Sequence, residues 1–247
     1  MNDRNAFTRK LLLDSGLKEG MRILDVGCGS GEVSILAWEL MNGTGEIIGI
    51  DINEGVITTV QKSAAEQQLT NIQFMTMKLE EAAEKLGTFD AIIGRRILMY
   101  LPDPFQAISD LVKCLKPGGR MIFQESDAIG DGALIETFPL HSKAQQWVWA
   151  TVAHEQGNIH IGSEMYSLFT KAGIQVKDVR AEAVLQTSET GSDLAWLLQV
   201  MEKRIIQAGA ATKAELESVT EEKLSKEMKN AQAVFIRDIN FGISAVK

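Results

Sequence analysis

The chain has 247 residues, 45% of them hydrophobic and 23% charged, the balance of a soluble globular protein with enough sequence for one large domain and its core. A formal net charge of −8 without any block of Lys and Arg disfavours a nucleic-acid partner, and two widely spaced cysteines, Cys28 and Cys114, make neither a disulfide framework nor a metal knuckle. The polar start MNDRNAFTRK does not resemble a signal peptide and no apolar run approaches membrane-spanning length, so the expectation is a cytoplasmic protein with no membrane partner and no metal.

In chain order, residues 5–16 have the pattern of a short helix around Leu11, Leu12 and Leu13. RILDV at 22–26 predicts a strand, and 31–41 a helix with Val33, Leu36, Ala37 and Leu40 on one face. EIIGID at 46–51 is a second strand, and Val56, Val60 and Ala64 mark the next helix. NIQFMT at 71–76 and FDAII at 89–93 give the third and fourth strands. Phe105, Ile108, Leu111, Val112 and Leu115 form an amphipathic stripe that Lys116-Pro117-Gly118-Gly119 is expected to stop, before a fifth strand at 120–125. Strands alternating with helices argue a parallel sheet covered on both faces. The second half predicts helices over 131–158, 163–172, 192–208 and 212–230, a strand within 174–187, and a strand-like alternation over 233–246. The organisation expected is a single domain over 1–247 with helical insertions at 128–160 and 189–230.

Chemistry concentrates in ILDVGCGSGEV, residues 23–33, where Gly27, Gly29 and Gly31 follow a buried strand and open a helix. Such a turn supplies bare backbone N–H groups and a helix N-terminus to a ligand. A dinucleotide turn has the spacing G-x-G-x-x-G, and here the third glycine falls one residue early. Asp51 closes the second strand, where a carboxylate can accept from both hydroxyls of a ribose. A loop for a small polar group and an acid for a ribose point to a nucleoside ligand without a diphosphate.

DVGCGSG, IGIDIN, FDAII, MYLPDP and LKPGGRMIF, in this order, resemble the class I S-adenosylmethionine-dependent methyltransferases, well over 5–125 and more loosely over 160–187. The resemblance implies an α/β, Rossmann-like, seven-stranded and mostly parallel sheet with its last strand antiparallel, helices on both faces, and a helical lid formed by the insertions. It implies S-adenosyl-L-methionine as cofactor. Gly27, Gly29 and Gly31 would then line the methionine part with Cys28 as a small neighbour, and Asp25 would lie just under it. Asp51 would grip the ribose, Ile52 and Leu79 would flank the adenine, and Gly94 and Arg95 would sit beside the methionine portion. Many relatives carry an acid where this chain has Lys78, and an ammonium has no acceptor for the adenine amino hydrogens. Glu80 or a backbone carbonyl would take that part.

The acceptor side is read from position. Tyr100 follows the fourth strand as a substrate-facing candidate, with a packed aromatic as the plain alternative. Glu125 ends the fifth strand, and His141 shares a helical face with Gln145 and Trp149 at i, i+4 and i+8. Glu125 and His141 are the candidate general bases, and Gln145 and Trp149 the candidate acceptor contacts. The implied reaction is transfer of a methyl group to an O, N or C atom of a small-molecule acceptor, with alignment as the protein's main task. Alternatives are an adenosylmethionine-binding scaffold with a non-methylating activity, a methyltransferase acting on a protein or RNA, and a nicotinamide oxidoreductase.

Overall fold

Strands that are apolar at successive positions cannot leave either face in water. ILDV, EIIGI and FDAII are such runs, and the computed structural model of the protein places them in the middle of one sheet. The structure describes residues 5–130 and 135–247. The elements are α1 (Ala6–Asp14), β1 (Arg22–Val26), α2 (Glu32–Leu40), β2 (Glu46–Asp51), α3 (Glu54–Glu66), β3 (Ile72–Thr76), α4 (Ala82–Leu86), β4 (Phe89–Arg95), α5 (Pro104–Lys113), β5 (Leu115–Asp127), α6 (Pro139–His154), α7 (Ile161–Lys171), β6 (Gln175–Gln186), α8 (Leu194–Gln207), α9 (Lys213–Ser218), α10 (Glu221–Ala231) and β7 (Phe235–Val246).

The strand order is β3-β2-β1-β4-β5-β7-β6. β1 pairs in parallel with β2 and with β4, β2 with β3, and β4 with β5. β7 runs the other way. Lys247, just past its end, exchanges backbone hydrogen bonds of 3.0 Å with Gly118 and Gly119 near the start of β5, while Asn240 meets Ser126 near the finish of β5. The chain therefore builds outward from β1 through β2 to β3, then returns to lay β4 and β5 on the other side. Where the order reverses, between β1 and β4, the loops leaving the two strands part and open a crevice at the carboxyl edge. Val26 is paired with Gly94 there, so the glycine loop and the loop after β4 leave the sheet side by side.

The chain divides into two compact units. The sheet-bearing unit holds the described chain up to Glu125 with Gly162–Arg180 and Phe241–Lys247. Its core gathers Ile23, Leu36, Ile47, Ile93 and Ile122 with Leu11 of α1. The helical unit holds Ser126–Ile161 and Ala181–Asn240, and its core gathers Phe138, Trp147, Leu198, Ile205, Leu224 and Met228. No helix among the described residues is long and apolar enough to cross a membrane.

Three expectations are corrected. The segment 212–230 forms two helices, because two threonines compete to cap it. Thr212 makes a reciprocal capping box with Glu215, and the Thr220 hydroxyl accepts from the Lys223 N–H at 3.3 Å and starts α10 afresh. Lys116–Gly119 does not merely stop a helix, since α5 ends at Lys113 and these residues already belong to β5. Phe89 faces Leu115 and Ala91 faces Arg120, so the extra residues of β5 bulge out of the ladder. The helix expected over 131–158 begins at Pro139, whose missing N–H costs nothing in a first turn; positions 131–134 lie outside the described residues.

Gly31 fixes the entry into α2. It is the N-cap in left-handed backbone, φ +76°, and a Cβ there would stand 2.6 Å from Val60 Cγ2 and 2.8 Å from Phe74 Cζ. Gly31→Ala is expected to lower unfolding free energy by about 1–3 kcal/mol through backbone strain and overpacking. Urea unfolding of the purified variant checks this, and an unchanged midpoint would show that the loop relaxes freely.

Candidate functional site

The crevice between β1 and β4 is built by hydrogen bonds that the sequence pattern only partly reveals. The Cys28 N–H donates to the Ile50 carbonyl at 3.0 Å, extending the β1–β2 ladder by one bond into the loop. The Gly31 N–H then donates to the Cys28 carbonyl at 2.8 Å, closing the turn. The Gly29 N–H donates to Asp51 Oδ2 at 3.1 Å, and the Asn53 N–H donates to Asp51 Oδ1 at 2.9 Å. Each oxygen of Asp51 is thus steadied by a backbone N–H, one from each loop, and each keeps capacity for a further donor. Asn53 also caps α3 by accepting from the Val56 N–H at 3.2 Å. Gly29 has φ +52°, and a Cβ on it would meet no heavy atom nearer than the Gly27 carbonyl oxygen at 4.0 Å. The loop is bare on the side where that methyl would project.

Under the loop, Asp25 is buried and accepts from Ser34 Oγ at 2.5 Å. Burial raises its pKa from 3.8 to about 7, against the opposing effects of the Ser34 hydrogen bond and the Arg95 charge. Burial also pushes the Cys28 thiol up, which removes it from thiolate chemistry near neutral pH.

Glu125 is fully buried at the end of β5. Its Oε1 accepts from the Ile97 and Leu98 N–H groups at 2.9 and 2.8 Å, and its Oε2 is buried with no partner. Burial raises its pKa from 4.5 to about 7, with the backbone hydrogen bonds and Arg96 acting the other way. Expected as a general base, Glu125 uses one oxygen as a clamp on the loop after β4. Ile97, which no motif marks, is the hinge of that clamp: its side chain fills the space beside Gly27 and Gly94, within 2.6 and 3.0 Å of where their Cβ atoms would be.

Arg95, expected beside the methionine portion, is held by protein partners. Its guanidinium donates to Asn5 Oδ1 at 2.8 Å and Thr8 Oγ1 at 3.2 Å and pairs with Glu32, while the Thr8 hydroxyl donates to Gln124 Oε1 at 2.6 Å. Burial lowers its pKa, with Glu32 opposing. The network ties α1 to the ends of β4 and β5, which is structural work. Ile52 is 76% exposed, Lys78 is exposed, and Leu79 is half-buried in the short turn after β3. Tyr100, 45% exposed, ends the turn held by Glu125.

His141, Gln145 and Trp149 lie on α6 in the helical unit, all buried. As a candidate base, His141 is corrected by its surroundings. Its Nδ1 lies 2.5 Å from Glu227 Oε2, and its ring packs between Phe138 and Phe235 at centroid distances of 5.6 and 4.9 Å. A core position with a carboxylate on one nitrogen is not the open, mobile setting that the helical face suggests.

A family model described as a methyltransferase domain matches residues 17–182.

The chain belongs to the class I S-adenosylmethionine-dependent methyltransferase family.

Aklanonic acid methyltransferase DauC of Streptomyces sp. (strain C5) is 36% identical over 115 residues, covering 47% of this chain and 52% of that protein. The ubiquinone biosynthesis O-methyltransferase of Acinetobacter baylyi (strain ATCC 33305 / BD413 / ADP1) is 32% identical over 105 residues, covering 42% of this chain and 43% of that protein. The chain therefore spans about half the length of the curated relatives it matches. Among solved structures, the [4+2]-cyclase SpnF superimposes with a TM-score of 0.65 at 20% identity over 98% of this chain and 81% of that one, a likeness of fold. The site of this methyltransferase-family chain fits the family's cofactor. The loop is bare at Gly29, Asp51 retains acceptor capacity, and two buried acids stand ready to favour a cation.

The Asp25 shift fixes a stability profile. Between 3.8 and about 7 the folded chain holds a proton that the unfolded chain has released, so stability falls as pH rises through that window and levels off above it. Glu125 acts in the same sense from 4.5 to about 7. Asp25→Asn keeps an acceptor for Ser34 and removes one of the two contributions. Urea unfolding at pH 5 and pH 8 should show a smaller loss of stability between the two for Asp25→Asn than for wild type; equal losses would mean that Asp25 titrates normally.

Proposed function

We propose that this chain transfers the methyl group of S-adenosylmethionine to an oxygen, nitrogen or carbon atom of a small-molecule acceptor. The observation that carries the reading is Asp51, held by the Gly29 and Asn53 N–H groups at the mouth of a loop with room beside Gly29. When bound, the cofactor supplies an activated methyl on a positively charged sulfur. The rest is the work of the chain. In this reading Gly27, Cys28, Gly29 and Gly31 offer backbone to the methionine part, with Gly94 and Arg95 on its other flank. The Asp51 carboxylate accepts from the ribose hydroxyls, and Ile52, Lys78 and Leu79 border the adenine.

Alignment does most of the catalysis, since holding two reactants at near-attack distance accounts for roughly 7–11 kcal/mol of barrier. Tyr100 borders the acceptor. Glu125 keeps the loop after β4 in place through Ile97 and Leu98, and its second oxygen is available to accept a proton or to favour positive charge. The helical unit is the part of the chain assigned to acceptor recognition. The two relatives above are named for aklanonic acid and for ubiquinone biosynthesis, which supports a small molecule as the acceptor class here. A fold shared with a [4+2]-cyclase keeps a second reading in play, a scaffold that binds the cofactor without methylating. The mass of the product separates the two.

Asp51→Ala should weaken cofactor binding by about tenfold or more, the scale of losing charge-assisted hydrogen bonds. Titration calorimetry with S-adenosylmethionine and its demethylated product measures it, and near-wild-type affinity would remove Asp51 from the ribose. Incubation with methyl-labelled cofactor and a metabolite extract should then pass label to a small molecule. Label found only on protein would move the acceptor class.

A further inference from the structure

The order β3-β2-β1-β4-β5-β7-β6 leaves β6 at one end of the sheet, its outer row of backbone N–H and C=O groups facing no described strand. β6 is 12 residues long and contains no proline. An edge of this kind is a template for pairing with another chain, and folded proteins blunt it with short strands, prolines or charge. β6 carries charge, but of both signs and in a self-complementary order.

From Gln175 to Arg180, the part of β6 that belongs to the sheet-bearing unit, exposure alternates strictly. Gln175, Lys177 and Val179 share the exposed face, and Val176, Asp178 and Arg180 the half-buried one. Arg180 Nε donates to Asp178 Oδ2 at 2.6 Å, and Arg180 Nη1 donates to Asp14 Oδ2 at 2.6 Å. The side chains of Asp178 and Arg180 stay part-exposed, so each can meet a further partner. Val179 is 43% exposed, an apolar β-branched side chain on the wet face.

Symmetry limits how such a strand meets a copy of itself. Two identical antiparallel strands in one sheet are related by a two-fold axis perpendicular to the sheet, and residues directly opposite each other share a face. Opposed residues therefore differ by an even number, and the axis passes through a residue. On Lys177, Asp178 or Arg180 the axis sets a charge opposite the same charge, which is destabilising. On Gln175 or Val176, at the start of β6, it leaves most of the strand unpaired. On Val179 it sets apolar against apolar, and each Asp178 stands opposite an Arg180 on both sides of the axis.

We propose that β6 is a self-association edge: two copies of this chain pair antiparallel through β6 about a two-fold axis at Val179, with Asp178 and Arg180 exchanging ion pairs between the copies. The pairing is independent of the methyl-transfer reading.

Sedimentation of the full chain between about 1 and about 100 µM should show a monomer–dimer equilibrium. Val179→Lys sets two ammonium groups on the axis and should weaken dimerisation by about tenfold or more with unchanged circular dichroism. Asp178→Arg should weaken it likewise, and Asp178→Arg combined with Arg180→Asp should restore it, because the exchange swaps both members of each ion pair. Cys28 and Cys114 are buried, so a thiol added at the surface can be linked selectively. A short bis-maleimide should join two copies of Val179→Cys, whereas two Lys177→Cys thiols would stand about 14 Å apart along the strands and should stay unlinked. A wild-type chain that is monomeric over the whole range would mean that the charges only protect the edge. A dimer indifferent to Val179→Lys, or one linked through Ala181→Cys rather than Val179→Cys, would place the contact elsewhere. Each of these results overturns the proposal.

Discussion

The hydrogen bond from the Gly29 N–H to Asp51 is the constraint on which the site depends. A loop with glycine at alternate positions is bare enough for a ligand and, for the same reason, poorly ordered by itself. Fixing one residue's backbone costs roughly 1–2 kcal/mol, and glycine loses the most freedom. A hydrogen bond to a charged acceptor contributes about 1.5–3 kcal/mol, enough to offset that cost at one residue. Because the same carboxylate also accepts from Asn53, the loop after β1 and the loop after β2 are set by one group. The group proposed to hold the ribose is therefore also the group that shapes the loop for the methionine part, so the two halves of the nucleoside site are positioned together.

Below and beside that loop the electrostatics favour a cation. Asp25 and Glu125 are both buried, and burial outweighs the help of Arg95 and Arg96 in keeping them ionised. Arg95 is paired with Glu32, which balances part of the positive charge that it presents to Asp25. A sulfonium entering such a site favours deprotonation of these carboxyls, and affinity rises as their protons leave. The same acids that weaken the fold near neutral pH strengthen its hold on a positively charged ligand. That exchange of stability for binding is common where active sites carry unsatisfied charge.

The sheet was legible because both-face burial writes itself as continuous apolar runs, and the glycine loop because its spacing is so unlike a dinucleotide turn. Asp51 stood out by closing a strand. What escaped was whatever depended on distance in the chain. Ile97 has no motif, yet it fills the space beside Gly27 and Gly94 and hands its N–H to Glu125. Asn5, Thr8 and Gln124 claim the Arg95 guanidinium and its neighbours from far along the sequence, which no local pattern announces. Glu227 lies 86 residues from His141 and turns a candidate catalytic side chain into a buried ring with one nitrogen already engaged. Helical periodicity placed His141, Gln145 and Trp149 on one face but could not say that the face is interior.

That interior face shows burial overriding helical periodicity as a guide to chemistry. A core formed only for stability would pair its polar atoms or replace them with apolar ones, since a same-shape apolar side chain is neutral or better when no partner exists. The core around Trp147, Leu198 and Met228 follows that rule with apolar residues. The row on α6 departs from it at His141, Gln145 and Trp149, as Trp38 and Glu125 do in the sheet-bearing unit.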